Sequence, residues 1–144
     1  DKTNFENEYT RNKIRNIVIP YIKQEFNPNI IETINRFSEL ILEEDEYLCK
    51  ITEETYHNIF ISRNQQEIIL DLKKFNMQEI VIKKRLILYT IKQLKGSTQG
   101  IEKIHIQDII KLCNNNIGNK FLTPNKRIKI LIKNKKIFFI CQDE

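Results

Sequence analysis

Arg11 and Arg15 stand four residues apart in the stretch "YTRNKIRNIVIP", residues 9–20, and each is followed or flanked by an asparagine. Two guanidiniums one helical turn apart can clamp a phosphate through paired N–H donors, or stabilise charge that develops on a transferred group. The same pair also suits a solvated helix face, or a tie to a neighbouring domain. Other chemistry finds little footing. His57 and His105 each lack a ligand-type partner three or four residues away, and Cys49, Cys113 and Cys141 are widely spaced without a C-x-x-C pair, so no metal site is expected. Gly96, Gly100 and Gly118 are the only glycines and make neither a G-x-x-x-x-G-K nor a G-x-G-x-x-G loop. The sequence therefore holds no nucleotide-binding loop of its own.

Charge is unevenly spread. The chain of 144 residues carries +5 overall, distributed as +1 over residues 1–26, −6 over 27–60, and +5 over each of 61–100 and 101–144. A basic excess confined to the last two thirds could meet a phosphate backbone. A chain rich in Ile, Lys and Asn and lacking Ala could owe the same lysines to an AT-rich genome. With 40% apolar and 30% charged residues the composition is that of a globular chain, and no apolar run reaches the ~20 residues of a membrane span. Odd, scattered cysteines fit a reducing cytosol, so a cytoplasmic location is expected. The opening at Asp1 without a Met reads as a piece of something longer.

The elements that must position these side chains follow from periodicity. Thr3 and Glu6 form a capping box that starts a helix near Asn4, with Ile14, Ile17, Val18, Tyr21 and Ile22 on one face and Asn4, Glu8, Arg11 and Arg15 on another. Pro20 should kink or restart it, and "NPN" at 27–29 restarts it again with Asn27 as cap and Pro28 in the first turn. From Pro28 the apolar spacing predicts a long helix to about residue 60, with "EEDE" on its solvated side. "EIILDLKKF" (67–75) reads as a short extended stretch, and Asn76 as the cap of a helix ending at Gly96. Within that helix Lys83, Lys84 and Arg85 interrupt the apolar pattern as a basic cluster. A further helix is expected at about 105–115. After Gly118 the period changes, and "KFLTP", "RIKILIK" and "KIFFICQ" read as strands joined by a "KNKK" turn. The expected fold class is mainly α: a helical bundle-like domain with a long helix and a small C-terminal antiparallel β-ribbon.

With these elements in order, the sequence resembles the middle of bacterial tRNA(Ile)-lysidine synthase. The matching residues are "DKTN…YTRNKIRNIVIP", "NPNI" and "SELILEEDEYL", then a helix ending "QLKG", an H-I-x-x-I helix and "GNKFLTPN". The resemblance implies an enzyme that uses ATP (with Mg) to adenylate the wobble cytidine of isoleucine tRNA with a CAU anticodon, and then ligates free lysine there. The family's S-G-G-x-D-S loop does not occur in this sequence, so the chain is expected to be inactive alone and to bind no cofactor itself. The resemblance divides it into residues 1–26, the end of the catalytic domain and a linker helix; 27–118, a helical tRNA-binding domain; and 119–144, the ribbon. It implies cleft-facing roles for Asp1, Thr3, Asn4, Arg11, Asn12 and Arg15. Candidate tRNA contacts are Lys83, Lys84 and Arg85, with Lys73, Lys74, Lys126, Arg127 and Lys129 of the same kind. The implied partners are that tRNA and the catalytic domain, with no membrane, and a homodimer is allowed.

Two other classes compete. Helices near 77–95 and 105–115 followed by a basic hairpin are also the order of a winged-helix DNA-binding domain, with the hairpin as its wing. A helical interaction scaffold with lysines set by genome composition is the third reading. The winged helix leaves the 28–60 helix and the R-N-x-I-R and N-P residues unexplained.

Overall fold

The computed structural model describes residues 10–115 and 120–142, so the expected capping box at Thr3 and Glu6 and the cleft-facing Asp1, Thr3 and Asn4 lie outside the described residues. Two compact units divide the chain, Asp1–Asp45 and Glu46–Glu144.

In the first unit, helix α1 (Thr10–Lys13) widens into a π-helical turn over Ile14–Val18 before α2 (Ile19–Glu25) resumes with Pro20 in its first turn. Proline lacks the N–H that an α-helical bond would need and crowds the preceding turn, and the wider turn just ahead of it absorbs that conflict. The restart expected at Pro20 is thus met by a bulge, not a break. The Asn27 side chain accepts from the Asn29 N–H at 2.9 Å, and α3 then runs from Ile30 to Ile59. None of the described residues of this first unit is buried, and Ile17, Tyr21, Phe26, Ile34, Phe37, Leu40 and Leu42 are more than half exposed.

The second unit holds the core. Strands β1 (Phe60–Arg63), β2 (Glu67–Asp71), β3 (Lys120–Asn125), β4 (Ile128–Lys133) and β5 (Lys136–Cys141) form one antiparallel sheet in the order β1-β2-β5-β4-β3. Alternation decides its faces. Ile68 and Leu70 lie opposite Phe139 and Ile137, which lie opposite Ile130 and Ile132, and all six are buried. Helices α4 (Leu72–Asn76), α5 (Ile80–Lys95) and α6 (Lys103–Asn114) pack on that side, supplying Phe75, Leu86, Ile87, Ile91 and Ile109. The last turns of α3 add Tyr56 and Ile59.

Helices dominate the chain, as expected, but the sheet is larger than a terminal ribbon. The three ribbon strands are joined by β1 and β2, and β5 is hydrogen-bonded on both sides. Register across residues 67–71 and 136–141 is non-local, and no local pattern announces it. Capping also differs from expectation. Asp71, not Asn76, caps a helix, accepting from the Lys74 N–H at 2.8 Å, and Asn76 closes α4 while its amide donates to the Cys113 carbonyl. Gly96 ends α5 at φ 75°, a left-handed position that glycine tolerates without a Cβ penalty. The "KNKK" turn joins β4 to β5 through Asn134 and Lys135, both at positive φ, the mirror-image turn that matches strand twist.

Candidate nucleic-acid interface

Three of the chain's cations line a groove of about 490 Å³ where the loop after α5 meets the turn between β3 and β4. Lys95, Lys126 and Arg127 line it together with Ser97, Gln99, Gly100 and Asn125, and no acidic side chain is among them. Local chemistry fixes both walls. The Ser97 hydroxyl accepts from the Gln99 N–H at 3.0 Å, and the Ile101 N–H donates to the Thr98 carbonyl, which folds residues 97–101 into a tight loop. On the other wall the Asn125 side chain accepts from the Arg127 N–H at 3.0 Å, and the Arg127 carbonyl accepts from Gln142 N–H at 2.9 Å. The carbonyl end of α5 faces this region and would repel an anion, so the lysine at its last turn offsets that partial charge. Three cations lining one open groove, with no carboxylate among its described lining residues, can hold a phosphate.

The other candidates are dispersed. Consecutive helical residues point about 100° apart, so Lys83, Lys84 and Arg85 do not share a face. Lys83 is half-buried, and its charge acts on the Cys113 thiol. Lys84 is exposed. Arg85 lines a smaller cavity of about 350 Å³ with Cys49, Glu53, Tyr89 and Lys92, and its guanidinium donates to the Cys49 sulfur at 3.5 Å. Lys74 donates from Nζ to the Asn58 carbonyl at 2.9 Å and so ties down the end of α3, while Lys73 faces Lys135 across a cleft with Asn76 and Met77. Lys129 sits over the Phe121 ring, 4.4 Å from its centroid. In the first unit Arg11 and Arg15 are exposed and Asn12 is half-buried.

The structure therefore brings Lys126 and Arg127 together with Lys95, which sequence reasoning passed over as an ordinary helix end. The available signal was "GSTQG", a loop short enough to hold Lys95 beside whatever the next turn presents. His105 has a structural part: its Nδ1 accepts from the Glu102 N–H at 3.0 Å, and the Glu102 side chain reciprocates, in a capping box at the start of α6. Among the described residues no group of three His, Cys, Asp or Glu could hold a metal ion, and no helix is long and apolar enough to cross a membrane.

Burial pushes the Cys113 thiol up to about 12, only partly opposed by Lys83. Burial likewise raises the hydroxyls of Tyr56 and Tyr89, with Glu53 adding to the latter. The folded chain keeps a proton that an unfolded thiol, with its ordinary value of 9.0, would release. The stability from this burial is complete below pH about 9 and falls as the pH rises towards 12. Urea unfolding should show that decline, a Cys113→Ala variant should soften it, and a thiol reagent at pH 8 should modify exposed Cys49 but not Cys113. Stability that stays level above pH 9 would contradict the assignment.

The class is set by this geometry: a helix-backed antiparallel sheet with a basic groove lined by Lys95, Lys126 and Arg127. No family model matches the chain. Individual relatives do. It is 38% identical over 124 residues to a tRNA(Ile)-lysidine synthase of Caldanaerobacter subterraneus subsp. tengcongensis, covering 86% of this chain and 26% of the relative. It is 36% identical over 143 residues to that of Clostridioides difficile, covering 99% and 31%, and 36% identical over 131 residues to that of Clostridium tetani, covering 91% and 27%. The chain belongs to the tRNA(Ile)-lysidine synthase family and spans less than a third of the length of these relatives.

Proposed function

We propose that the chain is the tRNA-recognising portion of a tRNA(Ile)-lysidine synthase, a cytoplasmic enzyme that ligates lysine to the wobble cytidine of CAU-anticodon isoleucine tRNA through an ATP-adenylated intermediate. The observation that carries this reading is the groove of Lys95, Lys126 and Arg127, which brings three cations together where a phosphate backbone could lie. A-form RNA hides its bases in a deep, narrow groove, so contacts by shape and backbone are the expected mode. On this reading ATP, with Mg, and lysine are substrates of the whole enzyme, handled by residues other than these.

Residues 1–26 close the catalytic domain on this reading, and 27–118 with the strands of 119–144 face the tRNA. The unburied apolar side chains of residues 10–45 support a dock onto that catalytic domain, since a patch of this kind marks a contact surface. Arg11, Asn12 and Arg15, with Asp1, Thr3 and Asn4, would lie beside its cleft, and a homodimer is compatible with the same exposed face. The winged-helix alternative needs a protruding wing, whereas β5 is paired on both edges. Binding to isoleucine tRNA should exceed binding to duplex DNA of similar length and should weaken with salt. Preference for the DNA, or binding to neither, would overturn the proposal.

A further inference from the structure

Among the described residues, the sheet has a second face whose side chains lie outside the buried core. Phe121, Leu131, Phe138 and Ile69 stand directly opposite one another across β3, β4, β5 and β2, on the side away from the buried Ile130, Phe139 and Ile68. Leu131, Phe138 and Ile69 are only half-buried, and Phe121 is 59% exposed. Charge on this face is sorted. Lys129, Lys133 and Lys136 alternate with the apolar positions on β4 and β5, while the two acids, Glu67 and Asp71, sit on β2, where Asp71 is engaged as a helix cap. Lys129 lies on β4, the strand that leaves the groove's turn at Lys126 and Arg127.

We propose that this open face receives unpaired RNA bases, stacked on Phe121 and Phe138, while the lysines on β4 and β5 meet their phosphates. The inference rests on the tRNA reading and adds a second mode of binding to it. A ring on a flat apolar row takes any base by its π face, and flanking cations hold the backbone, which a purely apolar protein-docking patch would not need. Lys129 Nζ lies over one side of the Phe121 ring, 4.4 Å from its centroid, which leaves stacking to the other side and puts a cation within reach of a stacked base's phosphate.

The test is binding of the 144-residue chain to a short single-stranded RNA and to a strand of equal length without bases. The intact RNA should bind more tightly, Phe121→Ala should weaken it about 5- to 100-fold as expected when one base loses its stacking partner, and Phe121→Tyr should keep it. Equal binding of the two strands, or no effect of Phe121→Ala, overturns the inference. If in that case whole tRNA still binds and Lys95→Glu with Lys126→Glu weakens it, the tRNA reading stands and only the open face is lost. If whole tRNA does not bind either, both fall. Self-association of the chain that disappears in Phe121→Ala would make the face a contact between copies and also overturn the inference.

Discussion

Reversing charge in the groove should cost the chain most of its hold on tRNA. With Lys95→Glu and Lys126→Glu together, affinity at low salt is expected to fall by about 10²- to 10⁴-fold, because each of the two charge-assisted hydrogen bonds is worth roughly 1.5–3 kcal/mol. The dependence of binding on salt should flatten at the same time, by about one unit of log–log slope for each phosphate the variant no longer neutralises. Lys126 is exposed and Lys95 is outside the buried core, so folding should be preserved and the loss should be one of binding. A parallel Lys84→Glu change, on an exposed residue away from the groove, should alter affinity far less. Equal losses from the two would mean that diffuse charge, not the groove, attracts the RNA. Titration of labelled tRNA at two salt concentrations distinguishes these outcomes.

The largest effect on stability is expected from Phe139→Ala. Phe139 is fully buried at the centre of the sheet, opposite Ile68 on one side and Ile130 on the other, with helices above it. Removing a ring there leaves a cavity that neighbours on three elements cannot collapse into, at about 3–5 kcal/mol. Domains of this size are stable by only about 5–15 kcal/mol, so the variant should unfold at far lower urea than the parent. Phe121→Ala, at the exposed edge strand of the same sheet, should change the midpoint by little. A Phe139→Ala cost below about 1 kcal/mol would show that the sheet does not close over this ring.

Local pattern and long-range pairing explain which elements were legible from residue order and which were not. The alternation of Ile128, Ile130 and Ile132 with Lys129, Leu131 and Lys133 made β4 readable, and Asn27–Pro28 followed by helical apolar spacing marked the start of α3. β1 follows α3 without a break, as Ile59 passes directly to Phe60, so the expected helix runs up to the strand and Ile61–Arg63 carry no strand pattern of their own. The pairing of β2 with β5 joins segments about 70 residues apart, and only the completed fold shows that the expected ribbon is three strands of five. The site was partly legible for the same reason. Lys126 and Arg127 stand out as a charged pair at a turn, but Lys95 joins them only through the path of the 96–100 loop. Lys83, Lys84 and Arg85 looked like one patch because they are adjacent in sequence, and helical geometry sends them to three different surroundings.

Lysine footprinting of the chain with and without isoleucine tRNA bearing the CAU anticodon tests the central claim most directly. If the groove holds the RNA backbone, Lys95 and Lys126 should be protected from acetylation by the tRNA, while Lys50 and Lys103, outside the groove, should react as in the free chain. Protection centred on other lysines, or no protection at a tRNA concentration that saturates binding, would contradict it.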